Sequence, residues 1–190
     1  MTMPPEMMMP PEMMMPPEMM PPDEGMAGMG ADDEPPTGNP DDMLNSLRQL
    51  CVDTINDYRA SLSLPPLERA TPEQETCSDD GAQSDGTTGN AHGSAGSCPG
   101  LGGQNTCPNW GVGGFSGNDS VEDALLGCLA AMWAEGEPPV PRDQCIQDYQ
   151  GCFLPHGHFI NMSDERYQRV SCGFYETSPG RWWMNQDFGF

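Results

Sequence analysis

A chain of 190 residues that sets 29 acidic side chains against 7 arginines and no lysine carries a formal net charge of −22. That field repels phosphate backbones and anionic lipid surfaces, which argues against nucleic acid or membrane partners and leaves divalent cations and basic proteins open. Eight cysteines, an even count with no CxxC or CxxCH unit, lack the motifs of zinc ribbons, thioredoxin-like sites and c-type haem; they favour up to four disulfides, whose pairing stays open, in an extracellular or cell-surface oxidising compartment.

Residues 3–20 are three copies of Met-Pro-Pro-Glu-Met-Met, followed by Pro21-Pro22 and a Gly/Met/Asp stretch to about Pro40. Paired prolines exclude helix and central strand and favour polyproline II. With roughly three residues per turn, Glu6, Glu12 and Glu18 share one edge of an otherwise Met/Pro rod. Residues 1–40 therefore read as a low-complexity tail and 41–190 as one folded domain. Three roles compete for the tail: a stiff spacer, capture of Cu(I) by thioethers, and docking through residues 3–22 onto a protein partner or a neighbouring copy, which makes the protein a self-assembling structural subunit. No apolar run reaches the length of a transmembrane segment, and no leader of charged then apolar residues opens the chain. The expectation is that a secretion signal has already been removed or that the numbering begins after it.

From Pro40 onward the spacing predicts a helix capped by Asp41-Asp42, with Met43, Leu44, Leu47, Leu50, Cys51, Ile55 and Tyr58 on its apolar face, ending before Leu64-Pro65-Pro66. Thr71-Pro72-Glu73 opens a second helix to about Ala82. Residues 84–118, rich in Gly, Ser, Asn and Thr, read as a long loop. A third helix begins at Asp119-Ser120-Val121-Glu122 and runs through Trp133. A loop with Cys145 and Cys152 then leads to His158 and a short helical turn near Asn161. Two strands, about Arg169–Glu176 and Arg181–Asp187, flank the turn Thr177-Ser178-Pro179-Gly180. Helices first and an antiparallel hairpin late give an α+β domain.

Chemistry concentrates on His92, in the loop Asn90-Ala91-His92-Gly93-Ser94, and His158, in Gly157-His158-Phe159. Neutral imidazole is a common metal ligand and general base. The runs Asn56-Asp57-Tyr58-Arg59, Leu64-Pro65-Pro66-Leu67, Gly103-Gln104-Asn105, Met132-Trp133-Ala134-Glu135, Gly157-His158-Phe159, Val170-Ser171-Cys172-Gly173 and Trp182-Trp183-Met184-Asn185-Gln186-Asp187-Phe188, in that order and with His92, resemble the CAP superfamily of cysteine-rich secretory, antigen 5 and pathogenesis-related proteins, in its bacterial form. The resemblance covers about residues 43–190.

It implies an α-β-α sandwich, a small antiparallel sheet between helices, with a central cavity holding two histidines and two acids. His92 and His158 match the histidines and Glu135 one acid. Gln104 stands where the family commonly has a glutamate, and a neutral amide can neither act as a base nor lend charge to a metal. Two imidazoles and a carboxylate suit a divalent ion, zinc or similar; the same trio also serves as a hydrogen-bonded polar cluster without metal. The resemblance points to a secreted non-enzymatic binding or cell-surface interaction module, with a small apolar ligand among its options. The rival is a metal-dependent hydrolase in the same pocket, although GxSxG and HExxH are absent and Ser94 reads as a turn residue. Trp182 and Trp183 alternate across one strand and read as core packing, and Asp79, Asp80 and Asp85 lack EF-hand spacing.

Overall fold

The computed structural model describes residues 40–111 and 118–190. The readings made for the Met/Pro tail, its spacer, copper, docking and assembly roles, lie outside the described residues, as does the 112–117 part of the expected long loop. The described elements belong to the compact unit Gly38–Phe190.

Helix α1 spans Pro40–Ser61, and Asp41 and Asp42 occupy its first turn rather than its cap, where carboxylates meet the positive end of the helix dipole. Leu47, Cys51, Val52 and Ile55 are buried and Leu44 packs against them half-buried, while Met43 is exposed, so the apolar stripe runs as its spacing suggested but without Met43. Near the helix end, Arg59 is wholly buried. It donates to the carbonyls of Pro65, Met162 and Asp164 at 2.9, 2.8 and 3.1 Å, tying α1 to the far end of the chain. Burial lowers its pKa against the opposing pull of Asp164 and Glu165.

A two-residue strand β1, Glu68–Arg69, precedes α2, Pro72–Thr88. Thr71 and Gln74 form a reciprocal capping box at its start. The helix runs past the expected end near Ala82 even though it contains Gly86, a poor helix former, whose small size its packing needs. A Cβ at Gly86 would lie 2.8 Å from Thr177 Cγ2 and 3.2 Å from Trp183 Cβ. Gly89, left-handed at φ 67°, ends the helix.

Part of the predicted loop is instead a long strand, β2, Leu101–Gly111. Its Gly, Asn and Pro content hides it from propensity, but pairing along β4 and hydrogen bonds to its polar side chains hold it in place. Helix α3, Val121–Trp133, is capped by the Ser120 hydroxyl, which accepts from the Asp123 N–H. The segment around His158, expected as a loop and one short turn, folds as α4 (Arg142–Gln147), a π-helical turn (Tyr149–Phe153) and a ten-residue α5 (Leu154–Ser163). The Cys145–Cys152 bridge closes the first two on each other, and Pro155 pre-sets the first turn of α5. Strands β3, Arg169–Ser178, and β4, Arg181–Gly189, form the expected hairpin.

The sheet order is β1-β3-β4-β2, antiparallel except for the short parallel pair β1·β3. Helix α2 packs on one face, through β3 and β4, while α1, α3 and α5 cover the other. Alternation divides the side chains between these faces. Val170, Cys172, Phe174, Met184 and Phe188 join the apolar core with Leu47, Ile55, Leu125 and Leu129. Ser171, Thr106, Gln104, Asn185 and Asp187 point to the α2 side and are all buried. Trp183 is buried on that side against Gly86, and Trp110 and Trp182 pack on the apolar core. Disulfides join α1 to β3 (Cys51–Cys172), α2 to the approach to β2 (Cys77–Cys98) and β2 to α3 (Cys107–Cys128). Such bonds form and persist in an oxidising compartment.

Candidate functional site

The two histidines come from opposite sides of the sheet and meet at its β2 edge. His92 sits in the turns that follow α2, with a left-handed backbone at φ 63°, a conformation uncommon outside glycine and found where the surroundings over-determine it. Three ties hold that loop. The Ser94 hydroxyl donates to Asp85 Oδ2 at 2.8 Å, the Gly93 N–H reaches the Asn90 carbonyl at 3.0 Å, and Cys98 is bonded to Cys77 of α2.

His158 lies inside α5, which is docked onto β2 by amides. Asn105 Nδ2 donates to the His158 carbonyl at 3.1 Å, and Asn161 Nδ2 donates to Asn105 Oδ1 at 2.9 Å and to the Gln104 carbonyl at 3.2 Å. Consecutive residues of one strand thus hold the two histidines. The Gln104 side chain reaches His92 on the α2 side, and the Asn105 side chain reaches the backbone of His158 on the α5 side. The rings stand with centroids 6.4 Å apart, tilted by 30°.

Glu135 follows the end of α3 and stands behind His158. Its Oε1 lies 2.5 Å from His158 Nδ1, and its Oε2 accepts the His158 and Phe159 N–H groups at 2.9 and 3.3 Å. Gly136, left-handed at φ 71°, turns the chain there, and the Gly136 carbonyl meets His156 Nδ1 at 3.0 Å. His156, which sequence reasoning passed over, therefore clamps the same turn from two residues before His158. Its spacing in Pro155-His156-Gly157-His158 was the available signal.

Gln104 faces His92, its Oε1 3.1 Å from Nδ1. Burial lowers the His92 pKa, opposed by the Gln104 hydrogen bond, with the His158 charge lowering it further and Asp85 raising it. His92, Gln104, Glu135 and His158 are thus brought into one cluster, in which each ring has its Nδ1 engaged, His92 by the amide and His158 by the carboxylate. Among the described residues, no three His, Cys, Asp or Glu side chains converge as a ready metal-ligand set.

A separate groove of about 870 Å³ runs along the prolines at 138, 139 and 141, with Leu62, Leu64, Phe159 and Ile160 in its walls. None of the four cluster residues lines it. Asp164 lies in that groove, buried and paired with Arg142 at 2.6 Å and Arg166 at 3.0 Å. No helix among the described residues is long and apolar enough to cross a membrane.

Residues 52–188 match the family model described as CAP, the cysteine-rich secretory protein family. Among solved structures, the chain is similar to the crystal structure of Na-ASP-1, at 18% identity and a TM-score of 0.54 over 76% of this chain. The matched part spans only 38% of the Na-ASP-1 chain, and the likeness shows the fold. No curated protein matches the sequence.

Proposed function

The chain belongs to the cysteine-rich secretory protein family, and from that premise we propose that it is an extracellular, non-enzymatic binding module whose His92–His158 pair takes up a divalent cation such as zinc. The observation that carries the reading is the engagement of both Nδ1 atoms, by Gln104 at 3.1 Å and Glu135 at 2.5 Å, on rings whose centroids are 6.4 Å apart. Metal-bound histidine characteristically gives its other ring N–H to a carboxylate or carbonyl, which fixes the tautomer and leaves Nε2 as the ligand atom. Imidazoles each about 2 Å from one shared ion at a tetrahedral angle have ring centres about 5 Å apart, so the donor set fits and the rings, 6.4 Å apart, must close by about 1 Å to share the ion. In this reading His92 and His158 are the ligands, Glu135 and Gln104 orient them, and water completes the coordination.

A cation held there supplies a positively charged, Lewis-acidic anchor on a chain of net charge −22 that otherwise repels carboxylates and phosphates. In a metal-dependent hydrolase the nucleophile is a metal-bound water, which needs a neighbouring base to take its proton. Ser94 is not a histidine-coupled nucleophile, because it donates its proton to Asp85 rather than to a histidine, while accepting from Gln104. Both Glu135 oxygens are likewise committed to His158 and its backbone.

Titration of the metal-free protein with Co(II), followed by its visible absorption, tests the proposal. One equivalent is expected to bind the wild type, and His92→Ala and His158→Ala are each expected to lose the signal. Wild-type binding that survives both substitutions would overturn the metal site, and His158-dependent turnover of peptide or ester substrates would overturn the non-enzymatic role.

A further inference from the structure

We infer that Asp187 is the second acid of this site, set one position deeper than residue 104, and that it acts as a positioning residue for His92 through the Gln104 amide. Gln104 and Asp187 are direct cross-strand partners on β2 and β4. Asp187, 4% exposed, lies with its Oδ1 3.0 Å from Gln104 Nε2, and Ser94 Oγ lies 3.1 Å from the same nitrogen. Both neighbours act as acceptors towards the amide. Asp187 Oδ1 is a carboxyl oxygen, and the single proton of Ser94 is committed to Asp85 Oδ2 at 2.8 Å.

Turning the amide over would set its oxygen against these two oxygens at about 3 Å with no hydrogen between them, a costly arrangement in a buried site. The amide is therefore locked with its NH₂ group inward and Oε1 towards His92. A carbonyl oxygen only accepts, so His92 Nδ1 carries the hydrogen and Nε2 carries the lone pair. The tautomer of a loop histidine is thus set by a carboxyl group on the next strand, through one intervening side chain.

The same geometry accounts for the amide at 104. A glutamate there would place a second carboxylate about 3 Å from Asp187, and two carboxylates at that distance cannot both ionise. Position 104 is neutral because position 187 is acidic.

The inference takes the histidine pair as the site proposed above, but its readout needs no metal, so failure of metal binding and failure of the relay are told apart. Long-range ¹H–¹⁵N spectra of the metal-free protein report the tautomer of each histidine, and thermal melts report stability. In the wild type and in Asp187→Asn, whose amide oxygen can still accept from Gln104, His92 is expected as the single Nδ1–H tautomer. In Asp187→Ala that single-tautomer signature is expected to be lost while that of His158 is unchanged. Gln104→Glu alone is expected to lower Tm by about 5 °C or more, and Gln104→Glu combined with Asp187→Asn to recover most of the loss. A folded Asp187→Ala that keeps the wild-type His92 pattern overturns the relay. Should Asp187→Ala not fold, the stability cycle decides, and a Gln104→Glu variant as stable as the wild type overturns it.

Discussion

The two faces of the sheet solve burial by different means. Towards α1 and α3, the sheet contributes Val170, Phe174, Met184 and Phe188 to a core that includes Leu47, Ile55, Leu125 and Leu129, so transfer of apolar surface holds that side. Towards α2 the buried set includes Ser78, Asp85, Gln104, Thr106, Ser171, Asn185 and Asp187, and α2 itself brings little apolar surface. Hydrogen bonds and close approach replace bulk there. Ser78 bonds Ser171 at 2.8 Å, Thr106 bonds Asn185 at 2.8 Å, and a Cβ on Gly173 would lie 2.2 Å from the Ser78 backbone. An apolar face tolerates swaps that conserve volume, whereas a polar face demands particular donors and acceptors, because an orphaned buried group costs more than a lost contact. The candidate site grows out of the second face, where such specificity resides.

The widest break in this comparison is expected from Gly173→Ala. The added methyl meets helix backbone rather than a movable side chain, so α2 must lift off β3. A loss of about 4 kcal/mol or more is expected in urea unfolding, and a near-neutral result would contradict the close approach. On the apolar face, Leu129→Ala, at a fully buried position, is expected to cost about 3 kcal/mol and to leave the histidine resonances in place. Thr106→Val changes almost no volume yet takes the donor from Asn185 Oδ1. It is expected to cost about 1–2 kcal/mol and to disturb His92, because Asn185 also bonds Asp85 and lies by Ser94. An equal response of His92 to Leu129→Ala and Thr106→Val would erase the distinction between the faces.

The smallest effect is a pH dependence. Burial raises the Asp187 pKa above its ordinary 3.8, against the hydrogen bonds of Ser78 and Gln104, with Asp85 adding to the rise. A raised carboxyl favours folding while it is protonated, and that contribution is lost as pH climbs from 3.8 through the folded-state value. Asp187→Asn should therefore gain stability relative to wild type as pH rises across that window, and denaturation curves at a series of pH values measure it. A constant difference between the two proteins would exclude the linkage.

Much of the chain was legible before folding was considered. The α1 and α3 stripes, the Thr71 cap and the Pro179-Gly180 hairpin turn are local signals, written by periodicity and turn chemistry within a few residues. His92, His158, Glu135 and Gln104 were identifiable as a set only through a family resemblance, since they lie in segments far apart in the chain. Strand β2 was missed because Gly102-Gly103-Gln104-Asn105 carries loop composition, and α5 because Pro155 and Gly157 disguise a helix. Asp187 stands in the run 182–188 with no chemical signal of its own, although alternation along β4 places it on one face with Trp183 and Asn185.

The sequence by itself determined the acidic, disulfide-rich character of the domain, its local helices and hairpin, and which residue types can carry chemistry, because these follow from composition and from neighbours along the chain. Tertiary structure alone decided which cysteines pair, that β2 is a strand, that Glu135 stands behind His158, and that Asp187 stands behind Gln104. Each of these rests on groups brought together from distant segments, and their energies exist only once the sheet has fixed its register.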